Sequence, residues 1–274
     1  MRIALIADPH LSMLDRDHCG MNLGVTQCVT EALIEDVQRR QPGLVVWMGD
    51  LTHEGSAEVR SRFAELHARL MVTSVQFSGN HDVEHIDKAE FARQSVPCVR
   101  RQWWQAAGWN LVVLDTVREL SPDNPNGELS EFDLRFLGDV ARQASGPMLV
   151  MGHHPLRQRC LDTEAFRRAV EPFTGTGVYI GAHTHVDRYE TVGNWHLLEL
   201  AGCCCEPFGY HMAELSSRAI AIEPIPVEVE VPVPDGNAGH HANESEKLAE
   251  DAVGDGLANA QSRADATFPL RLVV

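Results

Sequence analysis

Five short polar clusters in the chain combine residue types that can ligate a metal ion. They read Asp8-Pro9-His10, Gly49-Asp50, Gly79-Asn80-His81-Asp82, Gly152-His153-His154-Pro155 and Gly181-Ala182-His183-Thr184-His185. Taken singly, each cluster is as typical of a turn or a helix cap as of a functional site, because Gly, Asn and Asp are common turn residues. Each cluster, however, directly follows an apolar run of strand length, and this repetition points to a shared role.

The apolar runs and the segments between them predict an α/β fold. Runs rich in Val, Ile and Leu cover 2–7, 44–48, 74–77, 110–114, 148–151 and 178–180. Amphipathic helices are predicted at 25–37, at 59–70 after the N-cap candidate Ser56, and at 134–141 after Ser130. Strands that alternate with helices predict a largely parallel sheet covered on both faces. The closely spaced runs at 196–200, 211–215 and 220–229 predict antiparallel pairing instead.

The polar clusters are predicted to meet, because the carboxyl ends of parallel strands lie along one edge of an open α/β sheet. This edge would receive seven candidate metal ligands: Asp8, His10, Asp50, Asn80, His153, His183 and His185. A mixed set of imidazole, carboxylate and amide donors predicts two divalent or transition ions, with Mn, Fe, Zn and Co left open. Two ions roughly 3.5 to 4 Å apart need a bridging ligand, and Asp50 is the candidate. With a bridging hydroxide the centre would keep a net charge of about +1, which attracts a phosphate ester.

Composition limits the partners that the chain could have. Its 274 residues carry a formal net charge of −16, which argues against duplex nucleic acid and against an anionic membrane surface as partners. Seven cysteines, an odd number without regular spacing, predict reduced thiols, and no apolar run has the length of a membrane span. We therefore expect a cytoplasmic protein. Its oligomeric state is left open, with a homodimer among the alternatives.

Three further segments are given structural interpretations. Residues 232–274 are predicted to form a low-complexity acidic tail, disordered or loosely attached, which leaves 1–231 as the domain. The adjacent thiols of 203–205 would alternate in direction along an extended chain and could not all face one ion, so small buried residues are expected there. His18 and His53 are expected to be solvated, or to support ligands through hydrogen bonds.

In their order along residues 1 to 216, the five clusters resemble the motifs of the calcineurin-like metallophosphoesterases. The resemblance implies a four-layer α/β/β/α sandwich of two facing mixed β-sheets flanked by helices. It places Asp8, His10, Asp50 and His185 on one ion, and Asp50, Asn80, His153 and His183 on the other. His81 would face the substrate phosphate and the leaving group, with Asp82 orienting its ring. His154 would either contact substrate or make a structural hydrogen bond.

Within that family, the chain most resembles the class III cyclic-nucleotide phosphodiesterases and their glycerophosphodiesterase relatives. The residues that carry this likeness are Leu114-Asp115-Thr116, Gly127-Glu128-Leu129 and His153-His154-Pro155. The resemblance implies hydrolysis of a small phosphodiester, a cyclic nucleotide or a glycerophosphodiester, by a metal-bridging hydroxide. The alternatives are a phosphomonoesterase or protein phosphatase with the same centre, and a non-catalytic scaffold of the same fold. A scaffold would be expected to lose ligands or His81, which this chain keeps.

Overall fold

Two six-stranded sheets face each other in the computed structural model of the protein, which describes residues 1–18, 21–94, 96–118, 124–158, 160–230 and 269–273. The strands, in chain order, are β1 (Arg2–Ile6), β2 (Asp17–His18), β3 (Met21–Asn22), β4 (Leu44–Met48), β5 (Ser74–Phe77), β6 (Gln102–Ala106), β7 (Trp109–Val113), β8 (Met148–Met151), β9 (Gly177–Gly181), β10 (Arg188–Val192), β11 (Trp195–Glu199), β12 (Gly209–Ser216), β13 (Ala219–Pro226) and β14 (Leu270–Val273). The helices are α1 (Thr26–Arg40), α2 (Ala57–His67), α3 (Lys88–Gln94), α4 (Glu131–Gln143) and α5 (Thr163–Ala169), with 3-10 turns at Leu23–Val25 and His81–Val83.

Both large sheets are mixed. The first has the order β14-β13-β12-β1-β4-β5, in which β1, β4 and β5 are parallel and the other three strands pair antiparallel. The second has the order β10-β11-β9-β8-β7-β6, in which the four central strands are parallel and the two edge strands antiparallel. The predicted parallel strands are therefore confirmed. The antiparallel pairing expected after residue 180 holds for β12 and β13, whereas β11 pairs parallel with β9.

Three large apolar clusters in the described part of the chain separate four layers. The central cluster joins the two sheets, with Leu5 of β1 and Val113 of β7 among its members. An outer cluster packs α1 and α2 on the first sheet, where Phe63 meets Trp47 edge-on. The other outer cluster packs α4 and α5 on the second sheet through residues such as Leu137. This layering confirms the expected α/β/β/α sandwich.

The three predicted helices are present as α1, α2 and α4, whereas α3 and α5 were not predicted. The Ser56 side chain accepts a hydrogen bond from the Val59 N–H at the start of α2. Ser130 and Asp133 form a reciprocal capping box at the start of α4. Each cap satisfies main-chain donors that a helix end leaves unpaired. Among the described helices, none is long and apolar enough to cross a membrane.

Three strands of the two large sheets were not predicted, and each lies at a sheet edge: β6, β10 and β14. The short pair β2 and β3 was not predicted either. An edge strand pairs on one side only, so its residues need not follow the apolar pattern of a central strand. In β10, with the sequence Arg-Tyr-Glu-Thr-Val, no residue is buried. In β6, Trp103 and Trp104 are half-buried against opposite faces of the second sheet.

The segment predicted to be a tail, 232–274, lies outside the described residues up to position 268. Its end differs from the prediction, because Leu270–Val273 pairs antiparallel with β13 as the outermost strand of the first sheet. Leu272 is 7% exposed and belongs to the central apolar cluster. Alternate apolar residues let this short segment cover one side of the sheet edge, so these residues are part of the fold.

Candidate metal centre

The loops that follow five parallel strands bring the predicted ligands to one edge of the sandwich. Five of the seven have positive φ angles: Asp8 (50°), His10 (42°), Asp50 (46°), His183 (70°) and His185 (55°). Non-glycine residues rarely adopt this left-handed backbone, and it persists only where the surroundings enforce it. Such strained residues cluster at functional sites, and here they lie directly after β1, β4 and β9.

Asp50 lies where a ligand shared by two ions would lie. Its Oδ2 is 3.4 Å from His10 Nε2 and also 3.4 Å from His153 Nε2. Two donors that bind the same ion at about 2.1 Å are themselves roughly 3.0 to 3.5 Å apart. Its Oδ1 accepts a hydrogen bond from the main-chain N–H of His81, which fixes the carboxylate plane. The Oδ2 atom can therefore serve one ion with His10 and a second ion with His153.

Three further donors divide into the same two groups. His10 Nε2 is 3.2 Å from His185 Nε2, and His153 Nε2 is 3.1 Å from Asn80 Oδ1. The His183 ring lies beside that of His153, with centroids 5.1 Å apart. The remaining predicted ligand, Asp8, is fully buried, and its carboxylate accepts the main-chain N–H of His183. The donor set thus fits two divalent ions.

Hydrogen bonds from neighbouring loops select which histidine nitrogen faces the centre. His153 Nδ1 donates to the Met48 carbonyl at 3.0 Å, which leaves Nε2 free. His10 Nδ1 lies 3.1 Å from His53 Nδ1, so His10 donates there when its Nε2 binds an ion. The sequence left His53 between a solvated and a supporting role, and at 5% exposure it has the supporting position. Its place three residues after Asp50, in the same loop, was the available signal.

The structure corrects the expected role of Asp82. His81 Nδ1 donates to the main-chain carbonyl of His53 at 3.0 Å. Among the contacts of the described residues, none joins the His81 ring to the Asp82 carboxylate. Asp82 instead accepts hydrogen bonds from the main-chain N–H groups of Leu51, Thr52 and Gly79. The Asp82 side chain thus points away from the His81 ring and into the protein. It joins the two ligand loops and does not orient that ring.

His154 has the structural role that the sequence left open beside a substrate contact. It is fully buried, and its Nδ1 lies 3.0 Å from Thr116 Oγ1 while its Nε2 donates to the Pro125 carbonyl at 2.8 Å. Both ring nitrogens are therefore occupied by protein groups. The substrate contact expected as one alternative for His154 is therefore wrong, although its ring lies against that of His183.

Two glycines allow the ligand loops to approach one another. Gly49 has a φ of +88°, and a Cβ there would lie 2.5 Å from His153 Nδ1. A Cβ on Gly79 would overlap the Asp50 carboxylate. Any larger side chain at either position would push a candidate ligand out of place, so both clusters need their leading glycine.

Burial and neighbouring charges shift the pKa values of the buried acids and histidines of the site in opposite directions. Burial raises the pKa of Asp8 to about 6. Burial would also raise the pKa of Asp50, but the charge and hydrogen bond of His153 outweigh this and hold that pKa well below its usual range. Burial lowers the pKa values of His153 and His185, yet Asp50 for the first, and Cys205 and Asp8 for the second, raise both to about 9. A cation bound here would replace protons that these groups otherwise hold.

The chain is similar in sequence to two curated phosphodiesterases. The 3',5'-cyclic adenosine monophosphate phosphodiesterase CpdA of Escherichia coli strain K12 is 30% identical over 180 residues, which cover 62% of each chain. A probable cyclic nucleotide phosphodiesterase of Synechococcus is 28% identical over 155 residues, or 57% of this chain and 58% of the relative. The chain thus spans about three fifths of the length of these curated relatives.

A solved structure of a dimetal phosphatase from Danio rerio has the same fold, with a TM-score of 0.67 over 81% of this chain and 95% of the other. At 16% identity this likeness shows the fold alone. The family match itself covers residues 1–187, which contain all five polar clusters. The chain belongs to the calcineurin-like phosphoesterase family.

Proposed function

We propose that the protein is a dinuclear-metal-dependent phosphodiesterase that hydrolyses a small phosphodiester, a cyclic nucleotide or a glycerophosphodiester. The observation that carries the proposal is the position of Asp50 Oδ2, 3.4 Å from a histidine nitrogen of each ligand group. Two bound divalent ions supply Lewis acidity and lower the pKa of a water molecule to the neutral range. Mn, Fe, Zn and Co all suit the mixed imidazole and oxygen donors, so the ion identity stays open.

His81 is the group that we assign to proton transfer at the leaving oxygen. Its Nδ1–H is committed to the His53 carbonyl, so Nε2 is free to exchange a proton with a substrate atom. The side chain is 25% exposed, in contrast to the fully buried His153. Its ring stacks on that of His53 and meets His10 edge-on, with centroids 4.8 Å apart in both cases. These contacts hold the imidazole beside the ligands while leaving one side open to solvent.

Asn80 is a neutral candidate ligand, so it leaves the positive charge of bound ions in place. Its Oδ1 faces His153 Nε2, where a carboxylate would otherwise be expected in a site for cations. An amide oxygen ligates without neutralising positive charge, so the centre stays attractive to an anionic ester. The site can thus bind phosphate although the chain as a whole carries a net charge of −16.

The relatives favour a small substrate. Two of them are named as cyclic nucleotide phosphodiesterases, at 28% and 30% identity. A phosphomonoesterase or protein phosphatase remains the second candidate, because the same metal centre could serve either class of ester. Cytoplasmic location and the oligomeric state stay predictions.

The first experiment measures hydrolysis of bis-p-nitrophenyl phosphate by the full chain, after chelation and after separate addition of Mn, Fe, Co and Zn. We expect activity only with added ions. His81→Ala should lower kcat by about 10² to 10⁴-fold, the usual contribution of a general acid. His85→Ala, an exposed histidine four residues further on, is the matched control and should stay within twofold. Full activity after thorough chelation would refute the proposal.

A second experiment tests the charge argument and the substrate class. Asn80→Asp should keep two bound ions, measured by elemental analysis, but lose most turnover; unchanged turnover would contradict the role given to the neutral ligand. A panel of cyclic nucleotides, glycerophosphodiesters and phosphomonoesters then ranks substrates by kcat/KM. A monoester preference of tenfold or more would replace the phosphodiesterase assignment with the phosphomonoesterase one.

A further inference from the structure

The loop after β11 brings two thiols to one of the candidate ligands. The sequence predicts an extended segment at 203–205 with alternating thiols, but the structure has a turn at Cys203 and Cys204. The turn brings Cys204 Sγ to 3.8 Å from Cys205 Sγ, and both face the same nitrogen, His185 Nδ1, at 3.9 and 3.5 Å. Cys203 is buried elsewhere, in the apolar cluster under α1. The expectation of small buried residues therefore holds for Cys203 and Cys204, whereas Cys205 is only partly buried.

The three donor atoms have the spacing of a tetrahedral metal site. Thiolate sulfur binds zinc at about 2.3 Å and imidazole nitrogen at about 2.0 to 2.1 Å. A tetrahedral ion with these bond lengths separates two sulfurs by about 3.8 Å, and a sulfur from a nitrogen by about 3.5 to 3.6 Å. The observed separations of 3.8, 3.5 and 3.9 Å agree with these values to within a few tenths of an ångström. No disulfide joins any cysteine in the described part of the chain, so both sulfurs are available as ligands.

We propose that Cys204, Cys205 and His185 Nδ1 form a cation site of their own, beside the dinuclear centre, for a thiophilic divalent ion such as Zn²⁺ or Cd²⁺. Thiolate ligands select soft ions over Mn²⁺ or Mg²⁺, whereas none of the seven donors of the dinuclear centre is a sulfur. In the bound state both sulfurs are thiolates and His185 is a neutral imidazole, so binding releases to solvent the protons that these three groups hold, and the site with its ion is neutral. Cys205 is partly exposed, which gives the ion a route from solvent.

The site is coupled to the dinuclear centre through one imidazole. His185 Nε2 faces His10 Nε2 at 3.2 Å, while its Nδ1 faces the thiols. A neutral imidazole has one free lone pair, so His185 serves one ion at a time. An ion held by the thiols therefore withdraws His185 from the dinuclear centre and inhibits hydrolysis. This coupling rests on the proposed function, whereas the thiol site itself does not.

The thiol site is tested by titrating the chelated, full-length protein with CdCl₂ alone and following the ultraviolet cadmium–thiolate charge-transfer band. We expect the band to saturate at one Cd²⁺ per chain. Cys204→Ser and Cys205→Ser should each weaken the titration at least tenfold, and Cys28→Ser, a partly buried thiol on α1, is the matched control. Circular dichroism checks that the variants fold. If Cys204→Ser does not fold, Cys205→Ser still provides the test, because Cys205 is the more exposed of the two residues. A band that survives in the folded variants, or that is absent from the wild type, overturns the proposal.

The coupling is tested by adding Cd²⁺ to Mn²⁺-loaded protein during hydrolysis of bis-p-nitrophenyl phosphate, with each variant normalised to its own rate without Cd²⁺. Wild type and Cys28→Ser should be inhibited at the concentration that saturates the band. Cys205→Ser should need at least tenfold more Cd²⁺. Equal inhibition of all three, or a saturated band without inhibition, overturns the coupling. If the protein hydrolyses no phosphate ester, the proposed function has failed and the band alone still decides the thiol site.

Discussion

Asp82 offers a sharp test, because its contacts predict a loss of stability where a ring-orienting role predicts a loss of turnover. The carboxylate is fully buried and accepts four hydrogen bonds from two ligand loops. Its Oδ2 accepts the N–H groups of Leu51 and Gly79 at 3.0 and 2.8 Å, and its Oδ1 accepts the N–H and hydroxyl of Thr52, both at 2.9 Å. We predict that Asp82→Ala unfolds the protein more easily and releases metal.

The magnitude follows from two opposing effects. Removal of the carboxylate leaves three buried main-chain N–H groups without an acceptor, at about 1 to 3 kcal/mol each, or about 3 to 9 kcal/mol in all. Burial, the largest influence, raises the pKa of Asp82 from 3.8 to about 6, so removing the charge returns about 3 kcal/mol. The difference, at the middle of the range, is a loss of about 3 kcal/mol in the free energy of unfolding.

Urea unfolding of the metal-loaded protein measures this loss, and elemental analysis measures the bound ions. Glu84→Gln is the control, because its carboxylate lies 3.9 Å from His81 Nδ1 and is the acidic group nearest to that ring atom among the described contacts. We expect Glu84→Gln to unfold within about 0.5 kcal/mol of wild type, as surface substitutions usually do. If Asp82→Ala kept its stability and both ions but lost kcat, Asp82 would act on the His81 ring and the present reasoning would be wrong.

Three further predictions follow from other contacts. His53→Phe keeps the ring stack and the main-chain carbonyl but removes the acceptor for His10 Nδ1–H, so it should weaken one of the two bound ions about 10 to 100-fold by isothermal titration; equal weakening of both would contradict it. In chelated protein, the folded-state pKa values of about 9 for His153 and His185 lie above the usual 6.5, so their stabilisation is complete below pH 6.5 and is lost as pH rises through 9. The urea midpoint should therefore fall over that interval after chelation, and a flat profile would exclude these protonations. Truncation after residue 231 removes β14 (Leu270–Val273) and should lower the free energy of unfolding by about 1.5 to 3 kcal/mol, roughly that of one buried leucine, and an unchanged midpoint would show that this strand is dispensable.

The fold and the clustering of the candidate ligands could be predicted from the sequence because both depend on local patterns. Apolar runs with glycine and a metal-binding side chain at their ends mark central strands and their loops, as at Gly49-Asp50. The edge strands β6, β10 and β14 escaped prediction, because a strand with one open side is not constrained to be apolar. β11 pairs antiparallel with β10, as expected, but parallel with β9. The spacing of strands along the chain does not reveal which two strands will be the neighbours of β11 in the sheet.

The partners of the ligands could not be predicted, because they are contacts between loops far apart in sequence. Asp82 follows His81 directly, yet its carboxylate points toward Leu51 and Gly79. The ring of His81 is held instead by a main-chain carbonyl, and every residue type presents one. The same limit applies to Cys205, whose contact with His185 depends on a turn that the run of three cysteines does not signal.

The histidines assigned to the two ions differ in the groups that contact their outward-facing ring nitrogens. His153, assigned to the second ion, has its Nδ1 fixed by the main-chain carbonyl of Met48, which no substitution of a side chain removes. His10 and His185, both assigned to the first ion, instead face side chains, the imidazole of His53 and the thiol of Cys205. A hydrogen bond to the ring nitrogen that faces away from the ion sets the orientation and basicity of a histidine ligand. Mutation of His53 or Cys205, or chemistry at these side chains, can therefore change the affinity for the first ion while the affinity for the second is kept. We therefore expect the affinity for the first ion, rather than that for the second, to respond to changes at these partners.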